Sequence, residues 1–274
     1  DLSMKHFAVI GNPIEHSLSP VMHRWIFNSL NIDADYIKVK IEGNELSNIV
    51  HQLQSGDLDG INVTIPYKEV IMDQLDEINP RAQSIGSVNC IMKTHLGISG
   101  NNTDWYGFSK CIEENHINLI GRRVIVLGAG GTSRSILFAI KQMGVKKIQL
   151  LNRNVEKALS LADKCISVHS LKQSDEIIRE DSIIINTTSV GMQNNDSPLG
   201  QNLIHENQIL IDVIYTPLET SLLKYGKQVG ALTFNGLDMF IHQALASIDL
   251  WFGSSISKQV NLLQLKTYLE SQLC

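Results

Sequence analysis

The sequence predicts an α/β protein in which mostly parallel sheets are covered by helices, and three observations support this class. Short apolar runs, such as residues 7–10 and 124–127, have the length and composition of strands buried on both faces. A turn rich in glycine or proline follows these runs, and apolar residues at helical spacing follow the turn. This alternation recurs along 274 residues, a length that fits one large or two medium domains.

Composition restricts the classes of partner. The chain is 43% hydrophobic and carries a formal net charge of −5, without a long run of charged residues. Such a composition is typical of globular enzymes and gives no sign of binding to nucleic acid or to an anionic membrane. No apolar stretch approaches the roughly 18 residues that a membrane-spanning helix needs. We therefore expect small molecules as partners.

The cysteines indicate neither a zinc site nor a disulfide framework, because no two of them form a C-x-x-C pair. They are Cys90, Cys111, Cys165 and Cys274. No signal peptide opens the sequence, so we expect reduced thiols in a cytoplasmic protein. Asp1, Leu2 and Ser3 precede Met4, and we interpret them as a remnant ahead of the native start.

A strand over residues 7–10 is followed by a loop that contains Ser17 and Ser19. Pro20 follows Ser19, which predicts a helix with Ser19 as its N-cap and the proline as its first residue. Two interpretations of the loop remain open. Either Ser19 caps the helix and Ser17 has no role, or both hydroxyls bind an anion such as a carboxylate beside the positive helix terminus.

A later strand ends with the polar residues Asn62 and Thr64, and Pro66 is predicted to start a helix with Lys68 in its first turn. A lysine at the positive end of a helix opposes the helix dipole. Lys68 is therefore either a solvated surface residue or part of a site at the carboxyl end of the strand, where α/β proteins bind ligands.

Two more polar residues occupy positions that a site would use. Asn89 stands in an apolar strand, where its amide must find hydrogen-bond partners and either pins a loop or binds a ligand. Asp104 stands at the start of a predicted helix, where the helix dipole favours a carboxylate whether or not it takes part in chemistry.

Residues 124–134 predict a strand, a glycine turn and a helix over residues 132–143. Glycine lets a backbone approach a ligand closely, and the free N–H groups of a helix N-terminus bind phosphate. Gly128 and Gly130 match the first two glycines of the dinucleotide-binding pattern, but Ser133 stands at the third position. A glycine turn can also be a plain connector.

The next strand, predicted over residues 147–151, bears on the choice between NAD and NADP. An NAD site normally has Asp or Glu near the end of this strand, about 20 residues past the first glycine. Asn152 stands there instead, followed by Arg153 and one turn later by Lys157. These cations are either a solvated helix start or a clamp for a 2′-phosphate. We favour NADP, because the helix dipole disfavours cations at an N-terminus unless they bind an anion.

A set of motifs in a fixed order resembles the shikimate dehydrogenase family. They are Ser17-Leu18-Ser19-Pro20, Asn62-Val63-Thr64-Ile65-Pro66 with Lys68, Ser87-Val88-Asn89, Asn102-Thr103-Asp104, the Gly128 turn, Asn186-Thr187-Thr188-Ser189-Val190-Gly191-Met192, Asp212-Val213-Ile214-Tyr215-x-Pro217, and Asn235-Gly236-Leu237-Asp238-Met239 with Gln243. Each motif alone is a weak signal, whereas the ordered set runs from about residue 11 to residue 243.

The resemblance implies a two-domain enzyme that reduces 3-dehydroshikimate to shikimate with NADPH. It implies an α/β substrate domain with a mostly parallel sheet over residues 1–103 and 237–274. A Rossmann-type NADP-binding domain over residues 104–236 would follow, with a cleft between the two. We expect no metal, and a monomer or a weak homodimer.

The resemblance also implies roles for individual residues. Lys68 and Asp104 would be the catalytic pair, and chemistry agrees, because hydride delivery to a ketone builds negative charge that an ammonium group can stabilise and protonate. The implied substrate-binding residues are Ser17, Ser19, Asn62, Thr64, Asn89, Tyr215 and Gln243. The implied cofactor-binding residues are Gly128, Ala129, Gly130, Gly131, Thr132, Ser133, Asn152, Arg153, Lys157, Thr187, Thr188, Ser189, Val213, Gly236 and Met239.

Two other hypotheses remain open. One is a quinate/shikimate dehydrogenase with broader substrate and NAD use, against whose NAD preference the Asn152-Arg153 strand end argues. The other is a non-catalytic protein that senses NADP or shikimate. Retention of both Lys68 and Asp104 argues against the sensor, because sensing needs no proton donor.

Overall fold

The structure of this protein is a computed structural model, and it describes residues 3–273. Asp1 and Leu2 of the interpreted remnant and Cys274 lie outside the described residues. The chain divides into two compact units, one ending at Gly107 and resuming at Ile241, and the other running from Phe108 to Phe240. The sequence places these boundaries after residues 103 and 236. The structure places both boundaries four residues later, so Asp104 belongs to the first unit.

The first unit contains a six-stranded sheet. Its elements are β1 (Lys5–Gly11), α1 (Ser19–Ser29), β2 (Ala34–Lys40), α2 (Leu46–Ser55), β3 (Gly60–Val63), β4 (Glu77–Ile78), α3 (Pro80–Ile85), β5 (Cys90–Thr94) and β6 (Gly97–Asn101), followed by the first turn of α4 (Asp104–Glu114), whose remaining residues belong to the second unit. The strand order is β2-β1-β3-β5-β6-β4. β1 pairs in parallel with β2 and β3, whereas β5 pairs antiparallel with β3 and β6. The loops after β1 and β3 therefore leave the same edge of the sheet.

The second unit contains a parallel six-stranded sheet. Its elements are β7 (Val124–Leu127), α5 (Gly131–Gln142), β8 (Ile148–Asn152), α6 (Val155–Leu159), β9 (Ile166–Ser170), α7 (Ser174–Ile177), β10 (Ile183–Asn186), β11 (Ile209–Asp212), α8 (Ser221–Val229) and β12 (Leu232–Phe234). The order β12-β11-β10-β7-β8-β9 is that of the Rossmann fold. Its order reverses between β7 and β10, and ligands bind at such a point.

Two helices complete the chain, α9 (Leu237–Phe252) and α10 (Leu262–Gln272). Residues 241–272 belong to the first unit. There the indole N–H of Trp251 donates to the carbonyl oxygen of Ile91, 3.1 Å away, and ties α9 to β5. No helix formed by residues 3–273 combines the length and the apolar composition that crossing a membrane requires.

Two local predictions from the sequence are wrong. Pro66 does not start a helix: residues 65–66 and 68–69 form turns, and the next helical segment is a short 3-10 helix, Val70–Gln74. The carbonyl oxygen of Lys68 accepts from the N–H of Val88, so its backbone bonds to a neighbouring segment and not within a helix. The argument from a helix dipole therefore does not apply to Lys68.

The cap of α1 also differs from the prediction. The N-cap residue is Leu18, and Ser19 is the first residue of the helix. The backbone N–H of Ser19 donates to Oγ of Ser17, 3.3 Å away, so Ser17 satisfies one free donor of the helix start. Ser17 thus has the capping role that the sequence assigned to Ser19.

Candidate functional site

Lys68 and Asp104 form a buried ion pair in the first unit. Their Nζ and Oδ2 atoms are 2.6 Å apart, and the side chains are only 11% and 7% exposed. Asp104 is the first residue of α4, where the helix terminus stabilises its carboxylate, and Lys68 follows β3 in a turn. Burying two charges is costly unless they are paired, so the pair must be held in good geometry.

Asn89 holds the other oxygen of that carboxylate. Its Nδ2 donates to Oδ1 of Asp104 at 3.0 Å and to Oγ1 of Thr103 at 2.8 Å. Its Oδ1 accepts from the backbone N–H of Thr103 at 2.6 Å, which fixes the orientation of the amide. Oε1 of Gln243 lies 3.4 Å from the same Nδ2. The structure thus brings together four predicted residues from four segments of the chain.

Asn62 lies behind this group and is buried. Its Nδ2 donates to the carbonyl oxygen of Asn89 at 3.1 Å and to Oγ of Ser247 at 3.0 Å. Its Oδ1 accepts from the hydroxyl of Tyr36 at 2.8 Å. Both amide hydrogens are therefore already bonded within the protein. Sequence reasoning missed Tyr36 and Ser247, although Ser247 lies one helical turn after Gln243, a spacing that places both on one face of α9.

The predicted carboxylate-binding hydroxyls lie on the edge where β1 and β3 end. Ser17 is partly exposed and Ser19 is buried. Thr64 is partly exposed, and its N–H donates to the carbonyl oxygen of Ile10 at 2.9 Å, which continues the pairing with β1. Tyr215, predicted for the same carboxylate, belongs to the second unit, where its ring stacks on Phe240 at 4.0 Å.

The glycine turn of the second unit joins β7 to α5. Gly128 has a φ of +105°, and a Cβ there would lie 2.6 Å from Oγ1 of Thr187, so only glycine fits. The hydroxyl of Ser133 is buried and donates to the carbonyl oxygen of Gly128 at 2.6 Å. Thr187 donates to the carbonyl oxygen of Leu127 at 2.6 Å. Ser133 and Thr187 thus hold the turn in shape from two sides.

The predicted 2′-phosphate residues stand at the end of β8. Asn152 donates from its side chain to the carbonyl oxygen of Asn154, and Asn154 caps α6. Arg153 and Lys157 are exposed, and their charged side-chain groups make no hydrogen bond or ion pair with any residue from 3 to 273. Two unpaired cations beside the end of β8 are available to a phosphate group.

A buried carboxylate connects the loops that follow β10 and β11 in the second unit. Asp212, at the end of β11, accepts from Asn186 Nδ2 at 3.1 Å, the N–H of Ile214 at 3.1 Å and Oγ1 of Thr220 at 2.8 Å. Asn186 in turn accepts from the N–H and the hydroxyl of Thr188. Burial raises the pKa of Asp212 to about 6, although the three hydrogen bonds act in the opposite direction.

The remaining predicted cofactor residues also belong to the second unit. A Cβ at Gly236 would lie 1.9 Å from the carbonyl oxygen of Val213, so these two backbone segments touch only because residue 236 is glycine. Met239 is buried in α9, Ser189 is exposed, and Ala129, Gly131 and Thr132 lie in or just after the glycine turn. Among residues 3–273, no cluster of His, Cys, Asp and Glu could hold a metal ion.

Two family models match this chain. The shikimate dehydrogenase substrate-binding domain matches residues 9–91, and the shikimate/quinate 5-dehydrogenase model matches residues 110–212. A shikimate dehydrogenase (NADP(+)) of Bacillus cereus (strain G9842) is 41% identical over 256 residues, which cover 90% of this chain and 92% of the relative.

Solved structures are similar as well. Shikimate 5-dehydrogenase of Thermus thermophilus, in complex with NADP(H) and shikimate, has a TM-score of 0.82 at 32% identity, covering 93% of this chain and 98% of that one. Quinate dehydrogenase of Corynebacterium glutamicum, in complex with NAD, has a TM-score of 0.85 at 26% identity, covering 98% and 99%. On the identity and coverage of these relatives, the chain belongs to the shikimate dehydrogenase family.

Proposed function

We propose that this protein catalyses the reversible, NADPH-dependent reduction of 3-dehydroshikimate to shikimate in aromatic amino-acid biosynthesis. The observation that carries the proposal is the buried Lys68–Asp104 ion pair, 2.6 Å long, whose carboxylate is also bonded to Asn89. A buried ammonium group beside a strand end is costly to maintain for stability alone. Its use follows from the chemistry of ketone reduction.

Lys68 acts as the proton donor. As the carbonyl carbon accepts a hydride, its oxygen gains negative charge, and the ammonium group stabilises that charge and transfers a proton to the oxygen. In the opposite direction the neutral amine accepts the proton of the shikimate hydroxyl. Asp104 keeps Nζ in place, and Asn89 keeps Asp104 in place. Bound NADPH would supply the hydride.

The residues of the second unit fit a dinucleotide. The Gly128 turn would leave no room for a side chain, and it leads into the N-terminus of α5, whose free N–H groups suit a pyrophosphate. Arg153 and Lys157 suit a 2′-phosphate, with Lys157 making a weaker contact than an arginine would. We propose that Thr187, Thr188 and Ser189 lie beside the nicotinamide ribose, with Val213, Gly236 and Met239 nearby.

Substrate binding is divided among the remaining residues. Ser17, Ser19 and Tyr215 bind the carboxylate, and Thr64, Asn89 and Gln243 contact the ring hydroxyls and the keto group. Asn62 also belongs to the set of residues around the ring hydroxyls and the keto group. Because both of its amide hydrogens are bonded within the protein, a direct contact to substrate would use its oxygen or would exchange one of those bonds.

Absorbance at the reduced-nicotinamide band tests the proposal directly. Four reactions pair shikimate or quinate with NADP or NAD at one protein concentration. We expect fast reduction of the cofactor with shikimate and NADP and much slower reduction in the other three. No turnover in any of the four would refute the enzyme and favour the sensor, and faster turnover with quinate and NAD would favour the alternative dehydrogenase, which the likeness to a quinate dehydrogenase supports.

We further propose that the protein acts in the cytoplasm as a monomer or a weak homodimer and binds no nucleic acid. The net charge of −5 and the thiols of Cys90 and Cys165, which form no disulfide, support this assignment. Light scattering after gel filtration should give the mass of one chain, 30.5 kDa, rising at most to a dimer at high concentration. A stable tetramer would contradict it.

A further inference from the structure

Ser247 lies at the centre of the buried hydrogen bonds of the first unit. Its side chain is fully buried, and its hydroxyl donates to the carbonyl oxygen of Gln243, one turn earlier in α9, at 3.0 Å. The thiol of Cys90 is also a hydrogen-bond partner of Ser247. A hydroxyl has a single hydrogen, so while it donates to Gln243 its oxygen accepts from its amide and hydroxyl neighbours. These are Nδ2 of Asn62 at 3.0 Å and Oγ1 of Thr103 at 3.2 Å.

This assignment sets the direction of the neighbouring bonds. In this arrangement the hydroxyl of Thr103 donates to Ser247, and its oxygen accepts from Nδ2 of Asn89 at 2.8 Å. The same Nδ2 donates to Asp104, which binds Lys68. A continuous chain of hydrogen bonds therefore connects the ammonium group of Lys68 to Ser247.

Ser247 also lies on one face of α9 with Gln243 and Trp251, because the three residues are four apart. The indole of Trp251 fills the space beside Gly60, where a Cβ would lie 2.4 Å from Nε1, and it donates to β5. The hydroxyl and the indole are thus two fixed points, one turn apart. Together they set the rotation of α9 about its axis, and with it the position of Gln243 beside Asn89.

Tyr36 completes the arrangement from the other side. Its hydroxyl donates to Oδ1 of Asn62, so the amide must direct its N–H groups towards Ser247 and the carbonyl oxygen of Asn89. The ring of Tyr36 is fully buried and stacks on the imidazole of His23 at 3.9 Å. The orientation of Asn62 is therefore fixed before any substrate binds.

We propose that Ser247 is a positioning residue for the dehydrogenase reaction, which holds the Thr103–Asn89–Asp104 chain behind Lys68 and places Gln243 beside it. Ser247 itself does not touch the substrate. The inference rests on the proposed function. A wild-type protein that does not oxidise shikimate with NADP would refute that function before any variant is compared, so the two failures are distinguishable.

The test compares Ser247→Ala with Ser247→Thr, which keeps a hydroxyl at the same place. We expect Ser247→Ala to lower kcat for shikimate oxidation about tenfold or more and to raise KM for shikimate, because a small displacement of reacting groups is costly. The curve of kcat against pH for Ser247→Ala should also differ in shape from that of wild type. NADP affinity, measured by equilibrium titration, should stay within about twofold of wild type. Ser247→Thr should recover most of kcat.

Ser174→Ala is the matched control. Ser174 is a buried helical serine whose hydroxyl donates to the carbonyl oxygen of Leu171, but it lies in α7 of the second unit and in none of the candidate sites. Its kcat and KM should equal those of wild type. The proposal is overturned if Ser247→Ala has wild-type kcat and KM across the pH range, or if Ser247→Thr is as impaired as Ser247→Ala.

Tyr36→Phe provides a second route if Ser247→Ala does not fold. This change removes one hydroxyl and keeps the ring against His23, so Oδ1 of Asn62 loses its donor and the amide is held only by the bonds of its Nδ2. We expect a fall in kcat smaller than that of Ser247→Ala, with unchanged NADP affinity. Wild-type kcat in a folded Tyr36→Phe protein would overturn the proposal.

Discussion

In the first unit the proposed reacting groups are side chains held by other buried side chains, whereas in the second unit the candidate cofactor site is made mostly of backbone. Lys68 is fixed through Asp104 and Asn89, each with named partners at 2.6–3.0 Å. The Gly128 turn is fixed by the absence of a side chain and by hydroxyls that bond to its carbonyl oxygens. The first unit should therefore be sensitive to removal of single polar atoms, and the second to addition of single carbons.

The largest effect is expected from Lys68→Ala. Loss of the proton donor should lower kcat by roughly 10²–10⁴-fold, the usual contribution of a general acid or base. NADP affinity, measured on the same sample, should change little, because Lys68 belongs to the first unit. Lys5→Ala is the control, since Lys5 forms a surface ion pair with Asp59 in the same unit. Wild-type turnover in Lys68→Ala would remove the catalytic assignment.

Gly128→Ala should have the next largest effect, and it should change NADP affinity, the quantity that Lys68→Ala leaves nearly unchanged. The added methyl group would lie 2.6 Å from the Thr187 hydroxyl at a φ of +105°, so the turn must distort and NADP affinity should fall at least about tenfold. Gly130→Ala adds its methyl group where no atom lies within 4 Å, and we expect a smaller loss. Equal losses in the two variants would show that the turn is not held by Thr187.

Arg153→Ala should separate the two cofactors. If Arg153 binds the 2′-phosphate, its loss should raise KM for NADPH about tenfold, the worth of a charged hydrogen bond, and leave KM for NADH nearly unchanged. Lys164→Ala, which removes an exposed cation elsewhere in the unit, serves as the control. The clamp hypothesis fails if both cofactors are affected equally.

Asp212→Asn should have the smallest effect on turnover and a measurable one on stability. The folded protein holds the pKa of Asp212 at about 6, above the ordinary value of 3.8, so it binds this proton more tightly than the unfolded chain does. The proton on Asp212 stabilises the folded protein below pH 4, and the free energy of unfolding falls by about 3 kcal/mol as the pH rises through 6. Urea unfolding from pH 4 to 8 should therefore favour Asp212→Asn increasingly at higher pH. A constant difference between the proteins would contradict this.

The fold follows from the sequence wherever one residue type dominates a segment. Apolar runs predicted β7 and β8 within one residue of their ends. β9 has no such signal, because its residues 166–170 alternate polar and apolar at the edge of the sheet. The turn after Pro66 has the local signs of a helix start, and only the bond between Val88 and Lys68, 20 residues apart, shows otherwise.

In the candidate site, too, local signals could be interpreted from the sequence, whereas contacts between distant residues could not. The bond between Asp104 and Lys68 spans 36 residues, and only a resemblance between ordered motifs joined them in the sequence. Nothing in the local sequence distinguishes Ser247 or Tyr36 from other helix and strand residues, because their roles come from partners that are distant along the chain. The free cations Arg153 and Lys157 could be interpreted directly, since an absent acid and an unusual charge are both local signals.

The pH dependence of shikimate oxidation tests the central claim, that the buried pair of the first unit transfers the proton. In this direction the amine of Lys68 must accept the proton of the substrate hydroxyl, so kcat with NADP should increase towards alkaline pH. The rise should be absent from the residual activity of Lys68→Ala. A flat profile for the wild-type protein, or the same rise in the variant, would contradict the account.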